Sequence, residues 1–136
     1  MPDRLFTPAE ANSALPEVRD AAERLVALRR RMRELEEAQA SLTTAIGRNG
    51  GGYVTGDLDA AHGELTSLGR AAGACLERLD ELGVIVKDPD SGLVGFPARR
   101  EGEDVLLCWR VGEDEVRYWH DLVQGFAGRK PIDWVE

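Results

Sequence analysis

The residues with the greatest capacity for chemistry lie in one stretch of the chain, residues 105–131. Imidazole, carboxylate and guanidinium groups occur together there, on His120, Asp121, Glu113 and Arg129. An imidazole beside carboxylates can bind a metal ion or act as a general acid–base pair. We therefore take His120, Asp121 and Glu113 as candidate metal ligands, and a divalent metal is the cofactor that these residues suggest.

Ring faces and basic groups in and near the same stretch suggest a site for a ligand. A guanidinium that follows a Gly-Phe-Ala-Gly segment, as in Arg129, can present paired donors to a carboxylate or phosphate. The candidate ligand-binding residues are Trp109, Glu113, Tyr118, His120, Arg129 and Lys87. A structural interpretation stands beside each role, and the sequence favours it: core packing for Trp109, hydrogen bonding for His120, and an internal salt bridge from Arg129 to Asp88, Glu113 or Asp121.

The overall composition excludes several classes of partner. A net charge of −8 opposes non-specific binding to nucleic acid or to an anionic membrane, because both need excess positive charge. No run approaches the roughly 18 apolar residues of a membrane span. Cys75 and Cys108 lack the spacing of a disulfide framework. We therefore expect a reduced, cytoplasmic protein with neither nucleic acid nor membrane as a partner.

Two segments with a heptad pattern predict long helices. The first begins with TPAE at residues 7–10, which offers a capping box and a proline at the first helical position, and Pro16 predicts a kink or a restart. A glycine-rich loop at 47–57 precedes the second helix, which Gly83 ends. One narrow apolar seam comprises Ala14, Val18, Ala21, Leu25, Leu28, Met32, Leu35, Gln39, Leu42 and Ile46, and the other comprises Leu58, Ala61, Leu65, Leu68, Ala72, Cys75, Leu79 and Leu82.

After Gly83 the apolar pattern changes to alternation, which is typical of strands. It predicts strands at 84–87, 93–96 and 105–110, with turns at 88–92 and 100–104. Pro97 is expected to close the second strand, and the unbroken apolar run of the third predicts burial on both faces. Residues 113–123 fit either a short helix or a fourth extended piece.

These elements predict an α+β fold in a single domain, residues 1–136. A long antiparallel helical hairpin resembling a coiled coil occupies 1–83, and a small antiparallel meander of about three strands with a C-terminal motif segment occupies 84–136. A two-helix hairpin buries one stripe on each helix, so either the meander or a second copy must cover the rest. A second copy would make a homodimeric four-helix bundle.

Three segments of the chain resemble a known family. The opening RLFTPAEANSALPEVR, the central GVIVKDPDSGLVGFPARREGEDVLLCWRVGEDEVRYWHD and the closing GFAGRKPI are similar to the bacterial and archaeal family called domain of unknown function 2203. That family has no established activity, so the resemblance implies membership without a mechanism. It also implies an acidic residue before the Phe-Pro pair, where this chain has Gly95 and thus lacks one candidate metal or salt-bridge partner. The motif positions are Lys87, Asp88, Gly92, Phe96, Pro97, Trp109, Gly112, Glu113, Trp119, His120, Gly128 and Arg129.

Two functional hypotheses follow, and both stay open at this point. The first is a non-enzymatic binding or assembly module that dimerises through its helical hairpin, with the C-terminal motif surface contacting a partner or small ligand. It is favoured because the sequence contains no complete catalytic motif. The alternative is a small metal-binding protein or hydrolase-like enzyme that uses His120 with nearby carboxylates.

Overall fold

The computed structural model describes residues 4–49 and 55–134, in which two helices precede an antiparallel sheet. The elements are α1 (Pro8–Asn49), α2 (Thr55–Glu81), β1 (Ile85–Asp88), β2 (Leu93–Arg100), β3 (Glu103–Arg110), β4 (Tyr118–Asp121), a 3-10 turn (Gly125–Gly128) and β5 (Lys130–Pro131). The strands pair in chain order, which makes the sheet a meander. The predicted α+β fold with a helical hairpin is confirmed, with five strands instead of about three.

Helix α1 begins with the predicted capping box. The Glu10 N–H donates to Thr7 Oγ1 at 3.1 Å, and the Thr7 N–H donates to Glu10 Oε1 at 2.9 Å. These bonds from the Thr7 backbone and side chain lower the pKa of the Glu10 carboxyl. The helix then continues through Pro16, so the predicted restart is wrong. Leu15 and Val18 are buried on either side of the proline, and this packing holds the helix together despite the missing N–H.

The two helices run antiparallel. Glu17 pairs with Arg78 at 2.9 Å and Arg31 pairs with Glu64 at 3.0 Å, so residues farther along α1 meet residues earlier in α2. The predicted loop at 47–57 is too wide, because α1 extends to Asn49 and α2 begins at Thr55. A single glycine costs a helix only about 1 kcal/mol, which does not end one already formed. Loop residues 50–54, and the side chains of the seam residues Ile46 and Leu58, lie outside the described residues.

The main core lies between α1 and one face of the sheet. Ala11, Leu15, Val18, Ala22 and Leu25 recur at helical spacing along one side of α1, and all are buried. The alternate residues of the strands meet them, and α2 contributes at the edge. The sheet side of this core consists of Val94, Phe96, Ala98, Val105, Leu107, Trp109 and Trp119, and α2 supplies Ala72, Cys75 and Leu79.

Strand β2 runs past Pro97 to Arg100, so the prediction that this proline closes the strand is wrong. Pro97 lies opposite Leu106 of β3, whereas β1 pairs with β2 only as far as Gly95. The proline therefore disrupts no ladder on its outer side, where its carbonyl instead accepts the Phe6 N–H at 2.7 Å. A strand residue without an N–H is tolerated there because no neighbouring strand requires one.

The turn between β2 and β3 is shorter than the predicted 100–104. Arg100 and Glu103 already pair, which leaves Glu101 and Gly102 as a two-residue connection. Both have positive φ, 52° and 82°, as the tight turns favoured in hairpins require. The third strand is buried along residues 105–109, as predicted, and residues 118–121 adopt the extended alternative.

Candidate functional site

Glu113 organises the turn that follows β3. Its backbone N–H donates to the Arg110 carbonyl at 3.0 Å, and one carboxylate oxygen accepts the Arg110 N–H at 2.8 Å. Its own carbonyl accepts the Trp109 Nε1–H at 3.0 Å. Gly112, with φ of 106°, allows the chain to reverse immediately before it. The segment Trp109 to Glu113 is thus closed by hydrogen bonds to one residue.

The same carboxylate binds Arg129. Arg129 Nη2 lies 2.9 Å from Glu113 Oε2 and 3.1 Å from Oε1, and the two side chains are 18% and 25% exposed. The guanidinium also lies over two aromatic rings, with Cζ 4.1 Å from the Tyr118 centroid and 4.6 Å from the Phe126 centroid. We call Glu113, Tyr118, Phe126 and Arg129 the arginine cluster. Its formation joins the segment after β4 to the turn after β3.

The arginine cluster lies on the sheet face that points away from α1. Tyr118 is opposite Cys108, and Trp109 next to Cys108 packs into the core on the other face. Burial raises the pKa of the Cys108 thiol, while Arg129 nearby favours the thiolate more weakly. Because a thiolate is the reactive form, this cysteine is poorly suited to act as a nucleophile. Within the described chain, Arg129 Nε is buried with no hydrogen-bond partner.

His120 lies on the same sheet face, but its imidazole contacts the backbone of the next residue. Its side chain is buried at 3% exposure, and Nδ1 lies 2.9 Å from the Asp121 carbonyl oxygen. The Asp121 carboxylate accepts the N–H groups of Val123 and Gln124 at 2.9 and 2.6 Å. Asp121 therefore shapes the turn after β4, and its carboxylate is engaged by backbone donors.

The remaining candidate residues are placed elsewhere. Trp109 is fully buried in the core between α1 and the sheet. Lys87 is exposed on β1, at the irregularity in the pairing of that strand with β2. The structure thus brings together the side chains of Glu113, Tyr118 and Arg129 from the six ligand-binding candidates. The Trp109 ring reaches only the Glu113 backbone carbonyl, from the core side, and Lys87 lies apart on β1.

In residues 4–49 and 55–134, no three His, Cys, Asp or Glu side chains lie close enough together to hold one metal ion. Glu113 is paired with Arg129, and Asp121 with backbone donors. At position 95, where an acidic residue would add a ligand, a Cβ atom would lie 3.1 Å from Leu106 Cδ1. Metal binding by His120, Asp121 and Glu113 stays a prediction of the sequence.

Two positioning residues were missed by sequence reasoning. Asn12 of α1 binds both backbone groups of Val116, since Nδ2 donates to the carbonyl at 3.1 Å and Oδ1 accepts the N–H at 2.7 Å. Arg19 donates to the Asp114 carbonyl at 2.7 Å. Together they fasten the loop between β3 and β4 to α1. One sequence feature could have pointed to Asn12: it is a polar residue in the opening segment RLFTPAEANSALPEVR, on a helix whose other side is apolar.

The fold and this cluster define a class: an α+β protein in which a helical hairpin carries a meander, with the C-terminal motif residues bound to one another. Comparison with protein families gives the membership of the chain. The chain belongs to the family described as "Uncharacterized conserved protein (DUF2203)", whose model matches residues 4–132. Neither a curated protein nor a solved structure matches the chain.

Proposed function

We propose that this protein is a non-enzymatic assembly module that forms a homodimer through its helical hairpin. The observation that carries the proposal is a difference in burial along the hairpin seam. Where the sheet backs the helices, Val18, Leu25 and Leu79 are at most 1% exposed. Farther out, Leu42, Leu65 and Leu68 are only half-buried. A second hairpin would bury these leucines, each with a gain on the order of 1 kcal/mol.

The length of the helices explains this difference. The main core ends near Met32 on α1 and Ala72 on α2, but the helices continue to Asn49 and from Thr55. Residues 33–49 and 55–71 form a projecting arm. Leu35, nearest the core, is still buried at 8% exposure, and the described seam residues beyond it have one helix as their neighbour. Four helices enclose such a seam far better than two, as the interiors of helical bundles show.

The second part of the proposal concerns the arginine cluster as a contact surface. Tyr118, Phe126 and Arg110 present rings and a guanidinium near the surface, since Arg110 lies 5.0 Å from the Phe126 centroid and is exposed. We propose that this C-terminal motif surface contacts a partner or small ligand. The Glu113 carboxylate and the Arg129 guanidinium beneath this surface are paired with each other, which supports binding over proton-transfer chemistry.

We also propose that the protein is cytoplasmic. Cys75 and Cys108 are free and buried, as suits a reducing cytoplasm. In the described residues no helix is both long and apolar enough to cross a bilayer.

Light scattering coupled to size-exclusion chromatography tests the dimer. We expect the mass of two chains at micromolar concentration, falling towards one chain on dilution. Ala60→Arg, at an exposed position of α2 within the arm, should shift the equilibrium towards the monomer while circular dichroism keeps its helical signal. Ala127→Arg is the matched control, because Ala127 is also exposed but lies beyond the hairpin. A wild-type chain that is monomeric throughout would show the proposal to be wrong.

A further inference from the structure

A guanidinium at the end of β2 lies against two indole rings. Arg100, the last residue of that strand, has its Cζ 4.8 Å from the Trp119 ring centroid and 5.4 Å from the Trp134 ring centroid. The two rings meet edge to face, with their centroids 5.7 Å apart. The Arg100 side chain is only 26% exposed. A guanidinium that is confined in this way presents its donors with little further loss of conformational entropy.

The donors of Arg100 bind a carboxylate from the C-terminal segment. Nη2 lies 2.9 Å from Asp133 Oδ2 and 3.2 Å from Oδ1, and Nε lies 3.3 Å from Oδ1. Nη1 has a longer contact, 3.4 Å, to the exposed Glu101 carboxylate. The guanidinium lowers the pKa of the Asp133 carboxyl, which favours the ionised form. Because two donors of Arg100 engage one carboxylate, the geometry is that of bidentate carboxylate recognition.

The fold holds this arginine more firmly than it holds the carboxylate. The Ile132 N–H donates to the Arg117 carbonyl at 2.8 Å, and in the described part of the chain no backbone hydrogen bond holds residues 133–134. The Asp133 side chain is 61% exposed. The Trp134 Nε1–H is buried without an acceptor among the described residues, which makes the docked position of this ring less stable. The segment 133–134 is thus kept in place by its side chains alone.

An open cavity borders the ion pair. Its volume is about 290 Å³, and it is lined by Arg99, Arg100, Glu101, Asp133 and Trp134. A second cation lies against the Trp119 ring, since Lys130 Nζ is 5.1 Å from the ring centroid. Movement of residues 133–134 away from Trp119 therefore leaves an indole ring with two cations beside it. Such a surface suits a ligand that brings a carboxylate together with an aromatic ring.

We infer that the surface formed by Arg100, Lys130 and Trp119 binds a segment of another polypeptide in which a carboxylate precedes an aromatic side chain. The chain's own Asp133 and Trp134 have this chemistry and occupy the surface in cis. A partner segment takes their place, so the C-terminal residues act as a competitor that limits binding. This surface is separate from the arginine cluster, and the inference does not depend on the homodimer.

A short peptide with the chemistry of residues 132–134 tests the site. The probe is acetyl-Ile-Asp-Trp-amide, and the receptor is the full chain with Asp133→Asn and Trp134→Ala, which we call the emptied chain. NMR titration follows the indole N–H signal of Trp119. We expect a Kd below about 1 mM for the emptied chain. The wild type should give a Kd at least about tenfold higher, because its own segment competes at high effective concentration.

Two comparisons test how the carboxylate is recognised. Acetyl-Ile-Asn-Trp-amide lacks the carboxylate and should bind the emptied chain at least about tenfold more weakly. Arg100→Lys in the emptied chain removes the paired donors and should raise the Kd at least about fivefold. Arg99→Lys is the matched control, because Arg99 borders the cavity but pairs with Asp104 at 3.1 Å. It should leave the Kd within about twofold.

Three results would overturn the inference: no shift of the Trp119 signal in the emptied chain, equal affinity for the two peptides, or equal affinity of the wild type and the emptied chain. Circular dichroism checks that each variant keeps its fold. The two peptides are compared on one folded protein, so that comparison remains decisive even where Arg100→Lys disturbs the end of the sheet.

Discussion

Asn12 and Val116 pair through the asparagine amide, which binds the valine N–H at 2.7 Å and its carbonyl at 3.1 Å. The amide thus acts on this loop as a neighbouring strand would. Because Val116 is buried at 3% exposure, no water can readily replace these bonds. We predict that Asn12→Ala lowers the free energy of unfolding by about 1–3 kcal/mol, measured by urea denaturation. Ser13→Ala, next to it and exposed, should change the value by less than about 0.5 kcal/mol.

The arginine cluster should show strong coupling between its charged members. We predict a coupling energy of about 1 kcal/mol or more between Glu113→Ala and Arg129→Ala, because the pair is largely shielded from water. The pair of Arg117 and Glu115 is the control, with similar chemistry but side chains that are 57% and 55% exposed. Its coupling should stay below about 0.5 kcal/mol. Equal coupling energies in the two urea-unfolding cycles would contradict the structural role of the cluster.

Asp88 should contribute to the acid sensitivity of the fold. The Ser91 hydroxyl, and then the Asp90 N–H, bind its carboxylate and lower its pKa. A carboxyl whose pKa is lowered by folding stabilises the protein above its unfolded pKa, and this stabilisation is lost as the pH falls through the folded value. Between about pH 6 and about pH 3, Asp88→Asn should therefore lose less stability than the wild type. Glu103→Gln, at an exposed position on β3, should follow the wild-type curve.

Cys108 should be unreactive in the folded protein. The thiol is buried, and burial raises its pKa, so little thiolate forms and the reagent has no access. We predict modification by a soluble disulfide reagent at least about 100-fold slower than at a cysteine introduced by Ala127→Cys. Peptide mass spectrometry identifies the labelled residue. Rapid labelling of Cys108 in native buffer would mean that the region around β3 opens readily.

Metal content tests the alternative role of His120. Since Glu113 is paired with Arg129 and the Asp121 carboxylate accepts backbone N–H groups, we predict that His120→Ala does not change the bound metal. The measurement is elemental analysis of wild type and variant purified without chelators. Metal present in the wild type at one ion per chain and lost in the variant would support the ligand assignment.

Much of the fold could be predicted because its local signals agree. The heptad spacing of Val18 and Leu25 identifies α1, and that of Ala72 and Leu79 identifies α2. The capping box at Thr7 fixes where α1 begins. The extent of β2 could not be predicted, because a proline in a strand is tolerated only if no strand lies beside it. That condition depends on where β1 ends, which is a property of the assembled sheet.

The residue types at the site could be predicted, but the residues with which they pair could not. The sequence favours a salt bridge for Arg129 and offers three acidic residues for it. Only the path of the chain after β4 selects Glu113. Asn12 lies 104 residues from Val116, and no local pattern predicts a contact over that separation. The alternation that places His120 beside Tyr118 likewise gives no indication that the imidazole would be buried.

The long edges of the meander resist strand addition. Along β2, Pro97 offers no donor and its carbonyl is taken by Phe6, while β1 carries the exposed Lys87 at its irregular pairing. On the opposite edge, β5 is two residues long and includes Pro131. Charged, irregular or proline-bearing edge strands keep sheets from pairing edge to edge into larger aggregates. The edges of this meander therefore offer few free, regular backbone groups to a strand from another molecule.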